Sequence, residues 1–291
     1  MFNGVISALP TPFIKGDVDY PSLEKLVRVQ IENGINGFVV NGTTAESPTL
    51  LWAEVEKIFQ LVKSISGPNI PVILGTGSNS TEATISYTEK ASLLGADAAL
   101  VVVPYYNKPP QRGLVQHFLK VANTSKIPVI LYNVPGRTIT AMTTETILQL
   151  SGNENIVGIK EASGDIEFGE KLKAQVRKDF FLLSGDDLTF VPFLKIGGHG
   201  IISVMSNLLA KACSRWNALA KNENFSEAQA DFNNYQELIK LMYVEANPIP
   251  LKWMLHKSGI FRSAEMRLPL ATLDDKFYSS IEKQMRQLEL L

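Results

Sequence analysis

Lys160 follows Ile156-Val157-Gly158-Ile159 without a break, so its amine stands at the rim of an apolar segment. Desolvation at such a rim disfavours an ammonium ion, the condition a lysine needs to attack a carbonyl and form an imine. The competing reading is an amine that snorkels to solvent or pairs with the adjacent Glu161. Tyr132 closes another apolar run, and a phenol there can carry protons to and from an imine-forming carbon when hydroxyl partners relay them. Thr43 and Tyr106 are the candidate partners, although each tyrosine is equally able to fill space with its hydroxyl tied to backbone. Arg137, in a Pro-Gly turn just past Tyr132, offers a guanidinium fork to a substrate carboxylate, or else a surface ion pair. Thr43 and Thr44, beside Gly42, present hydroxyls and open backbone N–H groups suited to a second carboxylate, or form a simple turn.

Elements able to gather these residues recur along the chain. Short apolar runs occur at Val5–Leu9, Gly37–Val40, Val72–Gly75, Ala98–Val103, Val129–Tyr132, Ile156–Lys160, Phe180–Ser184 and Gly200–Val204. They are rich in Val, Ile and Leu and do not alternate with polar residues, as strands of a parallel sheet covered on both faces do not. Their starts lie roughly 20 to 35 residues apart, the size of a βα unit. Between them Tyr20–Asn33, Trp52–Ser66, Ser80–Leu94, Gly113–Thr124 and Thr143–Leu150 show helical spacing of apolar residues. Ser22 and Ser80 are read as opening caps, and Gly34, Gly67 and Gly95 as left-handed closing residues. Eight such units predict an α/β fold of the (β/α)8 barrel type, whose reactive groups sit at the C-terminal ends of the strands. Residues 1–224 are read as this catalytic barrel. Residues 225–291 are read as a C-terminal helical extension, with helices over Ser226–Glu245, Pro250–Lys257 and Leu273–Leu290.

Other features are read as structural. Gly75-Thr76-Gly77-Ser78-Asn79-Ser80 lacks the third glycine of a dinucleotide loop and the lysine of a P-loop, and is taken as a barrel loop capping the next helix. His117, His199 and His256 have no ligand spacing, and Asp186-Asp187 read as helix-capping residues rather than a metal pair. With 28 Lys plus Arg against 29 Asp plus Glu, the net charge of -1 gives no basic surface for nucleic acid or an anionic membrane. No apolar run is long enough to span a bilayer, and the start of the chain lacks the pattern of a signal peptide. The single cysteine, Cys213, is read as a buried inert thiol, and a reducing, cytoplasmic compartment is expected.

Taken in order on these strands, five motifs resemble the dihydrodipicolinate synthases, of the larger family of Schiff-base aldolases that includes N-acetylneuraminate lyase. They are Gly42-Thr43-Thr44-Ala45-Glu46-Ser47, Pro104-Tyr105-Tyr106-Asn107-Lys108-Pro109, Tyr132-Asn133-Val134-Pro135-Gly136-Arg137-Thr138, Gly158-Ile159-Lys160-Glu161-Ala162-Ser163-Gly164-Asp165 and Ser184-Gly185-Asp186-Asp187. The resemblance runs from Gly4 to the C-terminus.

It implies that Lys160 forms an imine with pyruvate and that Tyr132, Thr43 and Tyr106 relay protons, Tyr106 reaching in from a neighbouring subunit. It implies further that Thr44, with backbone near Ile202 and Gly185, holds the pyruvate end. Arg137 then binds the carboxylate of aspartate semialdehyde, in a step of diaminopimelate and lysine synthesis carried out by a homotetramer built from tight dimers. No metal or organic cofactor is expected, because the imine itself is the electron sink. The alternatives are another pyruvate-dependent aldolase or lyase acting on a sugar acid or related keto acid, and an inactive barrel that only binds a keto acid. The double threonine and Arg137 favour the synthase, since the sugar-acid lyases resemble Gly-Ser-Thr at the first motif and lack that arginine.

Two departures stand out. Ala45 replaces a customary glycine. Asn79 and Tyr105 match the allosteric lysine site of some members, but Trp52, Val55 and Ala83 stand where feedback-sensitive relatives carry polar or charged groups. A bound lysine ammonium would lack partners there, so weak or absent lysine inhibition is expected.

Overall fold

The computed structural model describes residues 2–291. Strand β1 (Gly4–Ala8) is followed by a small antiparallel hairpin, β2 (Phe13–Ile14) with β3 (Asp17–Val18). Then come β4 (Gly37–Val40), β5 (Val72–Gly75), β6 (Ala98–Val102), β7 (Val129–Asn133), β8 (Ile156–Glu161), β9 (Phe181–Ser184) and β10 (Gly200–Ser203). Apart from the hairpin, the strands close into a parallel barrel in the order β1-β10-β9-β8-β7-β6-β5-β4.

The unbroken apolar runs have a direct cause. Ile6, Val39, Ile73, Leu100, Ile130 and Ile202 fill the barrel interior. Their neighbours face the helices: Val5, Phe38 and Leu74 in one cluster, Val101, Leu131 and Ile159 in another. A strand apolar on both faces has no polar beat to show.

The covering helices are α1 (Tyr20–Glu32), α2 (Trp52–Ser66), α3 (Thr81–Leu93), α4 (Gln111–Thr124), α5 (Pro135–Thr138), α6 (Thr144–Ser151), α7 (Ile166–Lys173), α8 (Phe190–Lys195) and α9 (Ser206–Lys221). Their starts and stops follow local chemistry. Ser80 caps α3 by accepting from the Ala83 N–H, as expected. Gly34, Gly67 and Gly95 all adopt positive φ at helix ends. The expected cap Ser22 lies inside α1; Asp19 does the capping, accepting from the Ser22 N–H and hydroxyl at 3.3 and 2.6 Å. A hydrogen-bonded Arg262 guanidinium holds the Asp19 carboxyl below the usual carboxylate range and ties the last part of the chain to the first helix.

The extension comprises α10 (Phe225–Asn233), α11 (Gln236–Leu241), α12 (Ile249–Lys257) and α13 (Tyr278–Gln287). The single helix expected over Ser226–Glu245 is therefore broken. Asn233 and Asn234 are weak helix formers, and the Tyr235 ring docks edge-on against buried Trp216, 5.2 Å between centroids. The helix expected from Leu273 begins later, because Asp274 caps a 3-10 turn over Asp275–Phe277 ahead of α13. Leu251, Met254, Ile281 and Met285 of the extension share one hydrophobic cluster with Val5, Phe38 and Trp216 of the barrel.

Candidate active site

The C-terminal ends of the strands open on a cavity of about 600 Å³. Lys160 lines it with Tyr132, Arg137, Thr43, Thr44 and Gly185. Lys160 and Tyr132 stand at matching register on β8 and β7, and both are buried. Lys160 Nζ lies 4.3 Å from the centroid of the Tyr132 ring. Glu161 does not pair with it. Its side chain points to the other side of β8, where Oε2 accepts from Asn133 Nδ2 at 2.7 Å and Oε1 from the Ser163 N–H at 2.7 Å. Burial pushes the Glu161 carboxyl up, against the lowering effect of these hydrogen bonds. Asn133 Oδ1 accepts in turn from the Met142 N–H, at 3.0 Å. Thus each inward residue of the pair Tyr132–Lys160 is backed by an outward residue of the pair Asn133–Glu161, itself tied to the segment after Arg137.

Gly185 supplies clearance. A Cβ placed there would sit 2.8 and 2.9 Å from Lys160 Cε and Cγ, inside van der Waals contact. Thr43, Thr44 and Ala45 form a 3-10 turn after β4. The methyl of Ala45 is accommodated, because the left-handed residue of this turn is Glu46, φ 57°. Asn247 Nδ2 donates to Thr44 Oγ1 at 3.0 Å, leaving the Thr44 hydroxyl proton available to a ligand oxygen. The Asn247 carbonyl accepts from Arg137 Nη2 at 3.2 Å. Asn247 therefore bridges the two residues expected to bind carboxylates. It fell in the gap between predicted helices, and an isolated Asn before Pro gave no sign of this role.

Tyr106 and Ile202 are not in the cavity wall. Tyr106 is 86% exposed at a left-handed φ of 74°. Tyr105 instead lines an adjoining cavity of about 300 Å³, which shares Gly42, Thr43, Leu100 and Tyr132 with the first. Ile202 is buried in the barrel interior. Trp52 and Val55 line the adjoining cavity, whose wall holds no carboxylate. Trp52 stacks on Tyr87, and Lys90 Nζ already lies over both rings, at 5.1 and 5.6 Å.

Asp186 caps the turn before α8 by accepting from Thr189 N–H. Asp187 is buried and accepts from Ser203 Oγ, the Val204 and Met205 N–H groups and the Tyr243 hydroxyl, at 2.7 to 3.2 Å. Burial raises its carboxyl, against those bonds. His117 pairs with Thr81 Oγ1, and burial lowers it to about 4. Burial pushes the Cys213 thiol well up, which keeps it unreactive. Among the described residues no group of three or more His, Cys, Asp or Glu is placed to hold a metal ion. Nor is any helix among them long and apolar enough to cross a membrane.

The model of the dihydrodipicolinate synthetase family matches residues 1–288. The chain belongs to this family. A 4-hydroxy-tetrahydrodipicolinate synthase of Bdellovibrio bacteriovorus is 47% identical over 290 residues, covering 100% of this chain and 99% of the relative. The dihydrodipicolinate synthase crystal structure from Thermotoga maritima superposes with a TM-score of 0.98 at 39% identity, covering 100% of both chains. That of the chloride-inhibited enzyme from Acinetobacter baumannii, complexed with pyruvate, gives 0.97 at 40% identity, again over 100% of both. Members of the dihydrodipicolinate synthetase family thus share this chain's barrel and its helical extension, since the superpositions span its full length.

Proposed function

We propose that the chain is a 4-hydroxy-tetrahydrodipicolinate synthase, a lyase-type Schiff-base aldolase that condenses pyruvate with L-aspartate 4-semialdehyde in diaminopimelate and lysine synthesis. The observation that carries the assignment of residues is a buried lysine without a carboxylate partner, laid against a phenol in a cavity that also holds Arg137. The Lys160 amine attacks the pyruvate ketone and water leaves, giving the imine. Loss of a methyl proton gives the enamine, whose carbon bonds to the aldehyde carbon while the aldehyde oxygen takes a proton. The amino group of the semialdehyde then attacks the imine carbon, closing the ring and expelling Lys160. Tyr132 and Thr43 carry the protons. Thr44 donates to the pyruvate carboxylate, with backbone near Ile202 and Gly185 assisting. Arg137 clamps the semialdehyde carboxylate, its guanidinium aimed by the Asn247 carbonyl.

Tyr106 completes the relay from a second copy of the chain, in a homotetramer of paired dimers. Its exposure, with Leu51 71% and Tyr105 40% exposed, supports a surface that another copy covers. The one cysteine, buried as a thiol, supports a cytoplasmic setting. Turnover with pyruvate and aspartate semialdehyde, compared with turnover of sugar acids, tests the substrate assignment. Faster turnover of a sugar acid would reject it.

A further inference from the structure

The turn that carries Thr43 and Thr44 ends on a buried ion pair that lines neither cavity. Glu46 Oε1 accepts from Lys252 Nζ at 2.6 Å, and Oε2 accepts from the Arg267 N–H at 3.0 Å. Both side chains of the pair are 0% exposed. The Lys252 ammonium and the Arg267 guanidinium each lie 4.3 Å from the centroid of the Phe13 ring, in the small hairpin. Arg267 reaches on to both oxygens of Glu54, at 2.6 and 2.8 Å. The Glu46 backbone is left-handed, an unfavourable conformation for a side chain of this size, so its surroundings must hold it. Lys252 stands on α12, just beyond Asn247, so one short stretch of chain grips the turn at both Thr44 and Glu46. A third tie runs from Thr11 Oγ1 to the Ala45 carbonyl, at 2.8 Å.

A buried ion pair is weak evidence for stability, because well-packed apolar residues in its place are often as good or better. What apolar residues would not supply is direction. An ion pair with each carboxylate oxygen separately bonded admits one placement of the turn, and that turn presents the two threonine hydroxyls.

We propose that Glu46 and Lys252 are positioning residues: they fix the turn so that the Thr43 and Thr44 hydroxyls meet the pyruvate end of the reaction, and they touch no substrate themselves. The inference rests on the pyruvate-imine reading above. The pair holds the Thr44 end of the cavity, whereas Arg137 donates to the main-chain carbonyl of Asn247.

The test compares the full-length wild type with Glu46→Gln and with the double variant Glu46→Leu/Lys252→Met. It measures KM for each substrate, kcat, borohydride trapping of pyruvate and thermal melting. For Glu46→Gln the KM for pyruvate should rise about tenfold and that for the aldehyde stay within about twofold, while trapping at saturating pyruvate persists. The double variant should melt at or above the wild-type temperature and still show the raised pyruvate KM. That separates direction from stability and carries the test should Glu46→Gln not fold. A double variant with wild-type pyruvate KM, or equal rises for both substrates, overturns the proposal. Wild-type protein that borohydride fails to trap with pyruvate overturns the imine reading beneath it, whereas a trapped wild type with an unmoved KM in the variants overturns only the role of the pair.

Discussion

Gly185→Ala adds one methyl group beside Lys160. Its position is known from the backbone: 2.8 Å from Lys160 Cε, 2.9 Å from Cγ and 2.6 Å from Ala162 Cβ. Carbon atoms in contact sit about 3.5–4.0 Å apart, so the lysine must retreat by roughly an ångström. It has little room to do so, being 6% exposed with the Tyr132 ring 4.3 Å from its nitrogen. Overpacking of this kind costs roughly 1–3 kcal/mol of stability. The larger effect falls on the reaction, because a displacement of about 1 Å in a reacting group lowers rates by about 10²-fold. Gly185 does not adopt a positive φ, so the backbone itself admits alanine. A matched control is Gly113→Ala in α4, whose added methyl would lie 3.5 Å from its nearest neighbour, at ordinary contact. Initial rates in a coupled assay, with borohydride trapping as a function of time, read the effect. We expect kcat/KM for pyruvate to fall about 10²-fold in Gly185→Ala and to hold in Gly113→Ala. A folded Gly185→Ala enzyme within about threefold of wild type would refute the claim that this clearance aims the amine.

Arg137→Ala should raise the aldehyde KM at least about tenfold and the pyruvate KM less than about twofold, measured by varying each substrate at saturating levels of the other. Equal rises would reject its assigned role. His117 has a pKa lowered by burial from 6.5 to about 4, so as pH falls the unfolded chain takes up that proton first. Its stabilising share is whole above about pH 6.5 and is lost on descent to about pH 4, amounting to roughly 3 kcal/mol. His117→Gln should flatten that part of the loss in urea melts taken across this range, and an unchanged pH dependence would contradict the burial of the neutral ring. Lysine should inhibit weakly or not at all, because the cavity beside Trp52 and Val55 has no carboxylate and Lys90 already occupies the aromatic face. Half-inhibition at low-micromolar lysine would refute this.

The barrel was legible because strands buried on both faces are written as unbroken Val, Ile and Leu. The predicted runs and the strands differ by one residue at several ends, at apolar Leu9, Val103, Phe180 and Val204 as well as at polar positions. Asn133 and Glu161 extend β7 and β8 by one residue beyond the predicted runs, since their side chains are satisfied by each other rather than by water. Lys160, Tyr132, Thr43, Thr44 and Arg137 stood out at strand ends but were decided by their motifs, Gly185 only by the family resemblance, and the fold brings all six to one cavity. Tyr106 was legible as a residue type, but in a single chain its side chain faces outward. The bonds that aim the site were not legible. Glu46 and Lys252 lie 206 residues apart, and Asn247 and Thr44 lie 203 apart. A charged residue on a helix of the extension gives no local mark of a partner so distant in the chain.

Mass mapping after borohydride reduction in the presence of pyruvate addresses the central assignment most directly. One reduced pyruvyl group per chain is expected, on the peptide bearing Lys160, and none in Lys160→Ala. No adduct on folded wild-type protein, or an adduct on another lysine such as Lys252, would contradict it.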